Sequence, residues 1–266
     1  MPTAHLGSID VYYERTGAGE PLLFISGTGG DLRVKPNVFD GPLAKSFDLV
    51  GYDQRGLGRT SKPDTAYAMA DYADDAAALM DALGWASAKV VGVSFGGMVA
   101  QELVLRHPAK VERLVLGCTS PGGAGGASYP FHEIQHLKGE DRARHLIPVS
   151  DTRRDAAWAA ANPETYAQFV AMGAADPYAG EPGREMGARR QLEARAAHDT
   201  WARLHQIRCP TLIAAGRYDG VALPETQERM AGRIPGAELQ FFDGGHLFMI
   251  QDRAALPAMI AFLQRR

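Results

Sequence analysis

The sequence predicts an α/β protein: a mostly parallel, twisted sheet with helices on both faces and an inserted helical lid. Three observations carry that expectation. Short apolar, β-branched runs alternate with helical periodicity through the first third of the chain. The composition breaks at a glycine-rich stretch beginning at Pro121. Strand-like runs then resume from Pro210 to the C-terminal region. Strands that alternate with helices pair in parallel and are covered on both faces, and a helical block between two of them implies a cap.

Taken in order, Ile9 to Glu14 reads as a short strand after a Gly7-Ser8 turn. Pro21 to Ser26 is an apolar run ending in glycines, the mark of a buried strand, and Phe47 to Asp53 is another. A helix follows with Asp71 as its N-cap, Asp74 and Asp75 in its first turn, and Gly84 as its stop. Tyr72, Ala76, Leu79, Met80 and Leu83 form its apolar stripe. Lys89 to Val93 is a strand, Gly96 to Arg106 a helix ended by His107-Pro108, and Val111 to Gly117 a strand. Pro121 to Ser128 reads as a hinge with no regular element. The stretch from there to about Leu204 reads as helical, with Asn162-Pro163 opening one helix. Pro210 to Ala215 and Glu238 to Phe242 are strands, and a helix around Ala258 to Leu263 closes the chain. The predicted division is a core of residues 1–120 and 205–266 with a lid of residues 121–204.

Composition narrows the classes. Hydrophobic residues are 45% and charged residues 22%, a globular rather than a disordered profile. A formal net charge of −3 supplies no field for nucleic acid. No apolar run approaches the roughly 18–20 residues of a membrane span. The start Met1-Pro2-Thr3-Ala4-His5 carries no signal-like segment, so a cytoplasmic location is expected. Cys118 and Cys209 fall at opposite edges of the predicted sheet. A disulfide needs Cα atoms within about 7 Å, so two free thiols are expected.

The most informative stretch is Val90-Val91-Gly92-Val93-Ser94-Phe95-Gly96-Gly97. It matches G-x-S-x-G, with a β-branched strand leading in and a helix leading out. A sharp strand-to-helix turn pushes the Ser94 hydroxyl into the open, and glycines are needed where flanking side chains would clash. The helix N-terminus then aims its amides at developing negative charge.

On this motif and four others, the chain resembles the α/β-hydrolase superfamily over essentially its whole length. Ser26-Gly27-Thr28-Gly29-Gly30 resembles the family's oxyanion-hole loop, and Asp53-Gln54-Arg55-Gly56-Leu57-Gly58 its D-x-R-G-x-G turn. Gly216-Arg217-Tyr218-Asp219 and Gly244-Gly245-His246 follow the Ser94 elbow in family order. The resemblance implies Ser94 as nucleophile, His246 as general base and Asp219 as the acid that orients it. It also implies that the backbone amides of Thr28 and Phe95 form the oxyanion hole. The family places its acid at one of two positions; the first reads Gly117-Cys118-Thr119-Ser120 here, without a carboxylate, and the second holds Asp219. Relatives often begin the oxyanion loop with His-Gly, where this chain has Ser26-Gly27.

The reaction so implied is acyl transfer on a carboxylic ester or lactone, without cofactor or metal, on a small apolar or aromatic substrate. Lid aromatics, Trp158 among them, and Phe248 beside His246 are the candidate substrate contacts. C–C bond hydrolysis, iminopeptidase activity and a receptor-like binding role use the same framework and stay open. Two other motifs compete. His132-Glu133-Ile134-Gln135-His136 matches H-E-x-x-H, but the next metzincin ligand position holds Arg142, which has no lone pair for zinc. Gly27-Thr28-Gly29 followed by Asp53 resembles a dinucleotide site, but the third glycine falls at Leu32.

Overall fold

The apolar runs form one eight-stranded sheet in a computed structural model that describes residues 2–265. The strands are β1 (Thr3–Leu6), β2 (Ile9–Thr16), β3 (Pro21–Ile25), β4 (Asp48–Tyr52), β5 (Ala88–Val93), β6 (Val111–Gly117), β7 (Thr211–Gly216) and β8 (Glu238–Phe242), ordered β1-β2-β4-β3-β5-β6-β7-β8. The β1–β2 and β2–β4 pairs are antiparallel, and the rest are parallel. The helices are α1 (Leu43–Ser46), α2 (Met69–Ala82), α3 (Phe95–Arg106), α4 (Gly139–Ser150), α5 (Ala156–Ala161), α6 (Pro163–Ala174), α7 (Arg184–Ala196), α8 (Pro224–Arg233), α9 (Phe248–Gln251) and α10 (Ala255–Leu263).

The strand pleat sorts side chains between two cores. On β5, Val90 joins Met80, Met98 and Leu103 on the α2–α3 face, while Val91 joins Phe262 and Met259 of α10 on the other. On β6, Leu114 and Leu116 take the first face and Val115 the second. Each such side chain contributes roughly 1.5–3 kcal/mol by leaving water. Among the described residues, no helix is long and apolar enough to cross a membrane. Cys118 and Cys209 are free thiols, one just after β6 and the other just before β7.

Three local expectations need correction. Asp71 is not the N-cap of α2. Ala68 holds that position in an extended conformation, and the Asp71 carboxylate reaches back to accept from the Ala68 amide at 2.8 Å. Gly84 does end the helix, at φ +74°, with the Trp85 amide bonded to the Met80 carbonyl. The stretch from Pro121 is not a free hinge. The Thr200 amide donates to the Pro121 carbonyl at 2.8 Å, Gly122 bridges Asp199, and residues 123–125 form a 3-10 turn. Asn162 lies between α5 and α6 as expected, but its side chain donates back to the Trp158 carbonyl at 2.9 Å instead of capping α6.

The segment between β6 and β7 carries α4 to α7. Its helices have a small apolar centre of their own, Ala143, Ile147 and Val170 with Tyr166 and Phe169 against them. Its last helix, α7, approaches the loop after β4: a Cβ on Gly187 would overlap the Gly56 carbonyl.

Candidate active site

Ser94 stands between β5 and α3 at φ 55° and ψ −117°, outside the usual regions for a residue with a side chain. Its neighbours are glycine for a steric reason. A Cβ at Gly92 would overlap the Gly96 carbonyl, and one at Gly96 would overlap the Ile25 carbonyl. The turn is held by the Ser94 carbonyl, which accepts from the Thr119 hydroxyl at 2.7 Å and from the Gly97 amide at 2.9 Å.

His246 follows β8 and Asp219 follows β7. Glycines again set the approach, since a Cβ on Gly216 would overlap the Gly245 carbonyl. The His246 amide donates to the Ser150 carbonyl at 2.6 Å, and the Gln251 side chain accepts from the Gly245 amide at 2.7 Å. His246 Nε2 lies 2.9 Å from Ser94 Oγ, and Nδ1 lies 2.8 Å from Asp219 Oδ2. The second carboxylate oxygen of Asp219 accepts from the Val221 and Ala222 amides at 2.7 and 3.0 Å. With Nδ1–H donating to Asp219, Nε2 keeps a lone pair for the serine proton.

The loop after β3 crosses over the serine: a Cβ on Gly27 would lie 3.4 Å from Ser94 Cβ. Gln54 donates to the Ser26 carbonyl at 2.8 Å, and the Gly29 amide donates to Gln191 of α7 at 2.8 Å. Asp53 accepts from the Leu32 and Arg59 amides at 2.7 and 2.9 Å, so the Asp53 turn braces this loop. Ser26, where relatives often carry histidine, fills the space under Gly30. Thr28 lies in this loop, and Phe95 opens α3, where an amide has no intrahelical acceptor.

The sequence profile of the alpha/beta hydrolase fold matches residues 20–252. The chain belongs to the alpha/beta hydrolase family. It is 30% identical over 257 residues to a poly(3-hydroxyalkanoate) depolymerase of Ectopseudomonas oleovorans, covering 92% of this chain and 84% of the relative. It is 31% identical over 261 residues to a protein of Variovorax paradoxus (strain S110) provisionally named as the carbamate hydrolase RutD, covering 96% of each. The solved enol-lactonase of Burkholderia xenovorans LB400 superposes with a TM-score of 0.80 at 25% identity, over 99% of this chain and all of that one.

In this alpha/beta hydrolase, the other residues singled out in the sequence lie elsewhere. Asp243 is exposed and pairs with Arg153 at 3.0 Å. Asp199 accepts from the Trp201 amide at 3.0 Å. His132 to His136 lie in consecutive turns, not on a helix, so the i and i+4 histidines do not share a helical face. Phe248, expected as a substrate contact, is instead fully buried and stacks on Phe242 at 5.2 Å within the core. Trp158 packs inside the β6–β7 segment, stacked on Phe169 at 6.0 Å.

Burial pulls the His246 imidazole down, while Cys118 and Asp219 push it up, and the balance is upward. Cys118 stands at φ 40° with its sulfur, an Asp219 oxygen and a His246 nitrogen within 4.8 Å of one another. The sequence marked Cys118 only as a free thiol, and it did not mark Arg195 of α7 at all. Arg195 donates to the Thr28 hydroxyl at 2.7 Å and to the Ser128 hydroxyl at 2.8 Å. Its helix buries Gln191, Leu192 and Ala194 as well and is polar on most faces, so no periodicity marked Arg195 as turned inward.

Proposed function

We propose that this alpha/beta hydrolase cleaves a carboxylic ester or lactone of a small molecule by acyl transfer through Ser94. The hydrogen-bonded series from Ser94 through His246 to Asp219 carries the reading. As Ser94 Oγ bonds to the acyl carbon, its proton passes to His246 Nε2. The carbonyl oxygen becomes an oxyanion facing the Thr28 and Phe95 amides. The bond to the leaving oxygen then breaks, and that oxygen takes the proton from His246. Water, giving its proton to His246, attacks the acyl-enzyme and restores Ser94. Relatives named as a depolymerase of a polyester and as an enol-lactonase support an acyl–oxygen bond as the target. The β6–β7 segment acts as the lid.

A panel of p-nitrophenyl esters, lactones and vinylogous diketones tests the reading. The expected result is multiple turnover of esters or lactones and none of the diketones. A single-turnover burst alone would instead assign a receptor-like role, and preferential diketone cleavage would assign C–C hydrolysis.

The pH profile gives a second test. The base must be neutral to take the serine proton, so kcat/KM rises with pH as His246 deprotonates. Because the balance on His246 is upward, the midpoint of this rise is expected above the roughly 6.5 of an isolated imidazole. A midpoint at or below that value contradicts it.

A further inference from the structure

We infer that Arg195 binds an anionic group of the substrate, so that the hydrolysed ester or lactone carries a carboxylate a few bonds from its acyl carbon. The inference rests on the acyl-transfer reading above and deepens it.

Arg195 is only 6% exposed. Burial pulls its guanidinium down to about 10, which leaves it cationic at neutral pH. Buried cations in folded proteins are paired, because an unpaired one loses its hydration without compensation. The deeply buried Lys89 follows the rule, holding Glu20, and the partly buried Arg33 and Arg55 hold Asp31 and Asp75. Arg195 does not. Its partners are two neutral hydroxyls and the Phe131 ring at 4.7 Å, and its Nε–H has no acceptor among the described residues. Arg142 approaches the same ring at 5.9 Å, and no carboxylate hydrogen-bonds or ion-pairs with it among the described residues either. No carboxylate ion-pairs with Arg195 among the described residues; Asp219 acts on it only through space.

The guanidinium also borders a space. Arg195, His198, Ser128, Tyr129, Met98 and Ser120 line a cavity of about 70 Å³. Burial lowers His198 to about 3 against the opposing pull of the Ser120 backbone, and neither ring nitrogen has a well-formed hydrogen bond among the described residues, so it adds a neutral polar wall. The cavity adjoins the serine turn: the Met98 amide lies 3.3 Å from the Ser94 carbonyl, and Ser120 follows the threonine bonded to that carbonyl. On the other side, the same guanidinium holds Thr28. Through Thr28 the guanidinium is tied to the loop that crosses Ser94, so a carboxylate on Arg195 would stand on the loop's side of an acyl group there. A guanidinium offers a planar fork that matches it, and the idle Nε–H supplies a donor.

Arg195 could instead serve only to hold Thr28, and a pair of esters separates the two roles. Mono-p-nitrophenyl glutarate carries a terminal carboxylate; p-nitrophenyl valerate has the same number of acyl carbons and none. Wild-type protein is expected to favour the acid in kcat/KM by about 10–100-fold, the scale of a charged hydrogen bond. Arg195→Gln should reduce that ratio at least about tenfold, and Arg195→Lys should retain part of it. No acid preference in wild type overturns the inference without any variant. So does a ratio that survives in Arg195→Gln while both rates fall together. If neither ester is turned over, the acyl-transfer reading has failed, and calorimetry decides separately. Monomethyl glutarate should bind wild-type protein more tightly than methyl valerate does, with the difference lost in Arg195→Gln; equal affinities overturn the inference.

Discussion

Replacing Ser94 by alanine is expected to lower kcat by about 10³–10⁶ while leaving the protein folded. The change removes one oxygen, from a side chain whose only hydrogen-bond partner among the described residues is His246 Nε2 at 2.9 Å. The features that hold the turn belong to the backbone: the Ser94 carbonyl keeps Thr119 and Gly97, and the glycines at 92 and 96 still admit the close approach. Alanine at φ 55° carries the same strain as serine, so the thermal midpoint should move little. The residual rate reflects the amides and substrate binding alone. Steady-state kinetics on a p-nitrophenyl ester, with circular dichroism as the folding control, measures the effect. A fluorophosphonate should label wild type once and the variant not at all. Full activity in the variant, or labelling elsewhere, would remove Ser94 from the mechanism.

The second large effect is expected at Asp219, where Asp219→Asn should cost about 10²–10⁴ in kcat. One oxygen of this buried carboxylate accepts from the Val221 and Ala222 amides, and the other accepts from His246. An asparagine has one oxygen for these two duties. If it keeps the backbone amides, its NH₂ faces Nδ1, which must then accept, and the proton moves to Nε2. That tautomer cannot take the serine proton. In this orientation every hydrogen bond is retained, so stability should change little while chemistry is lost. Asp243→Asn is the control, because Asp243 pairs with Arg153 at the surface. Near-normal kinetics in Asp219→Asn with a dead Asp243→Asn would reassign the acid.

The sheet was legible because its strands are β-branched runs bounded by glycine and proline. The glycines around Ser94 and His246 were legible because close backbone approach excludes any Cβ. β1 was missed because Thr3–Leu6 offers little apolar signal; only Ala4 is buried there. The N-terminus of α2 was misread by three residues because an aspartate at the third helical position can bond backward as well as cap forward. Phe248 was misplaced because proximity to His246 in sequence says nothing about which side of a loop faces the core. Arg195 carried no signal at all: what marks it is that no carboxylate pairs with it among the described residues, and that is a property of the packed structure.

The bond from Thr200 to the Pro121 carbonyl and the bridge between Gly122 and Asp199 bring the two ends of the β6–β7 segment together. The ring closed by these contacts is, in polymer terms, already shut at its base. Shutting a flexible ring costs only about 0.6 kcal/mol more for each doubling of its length. Segments of other sizes can therefore be spliced above the same base while β6 and β7 stay paired and Asp219 stays in register with His246.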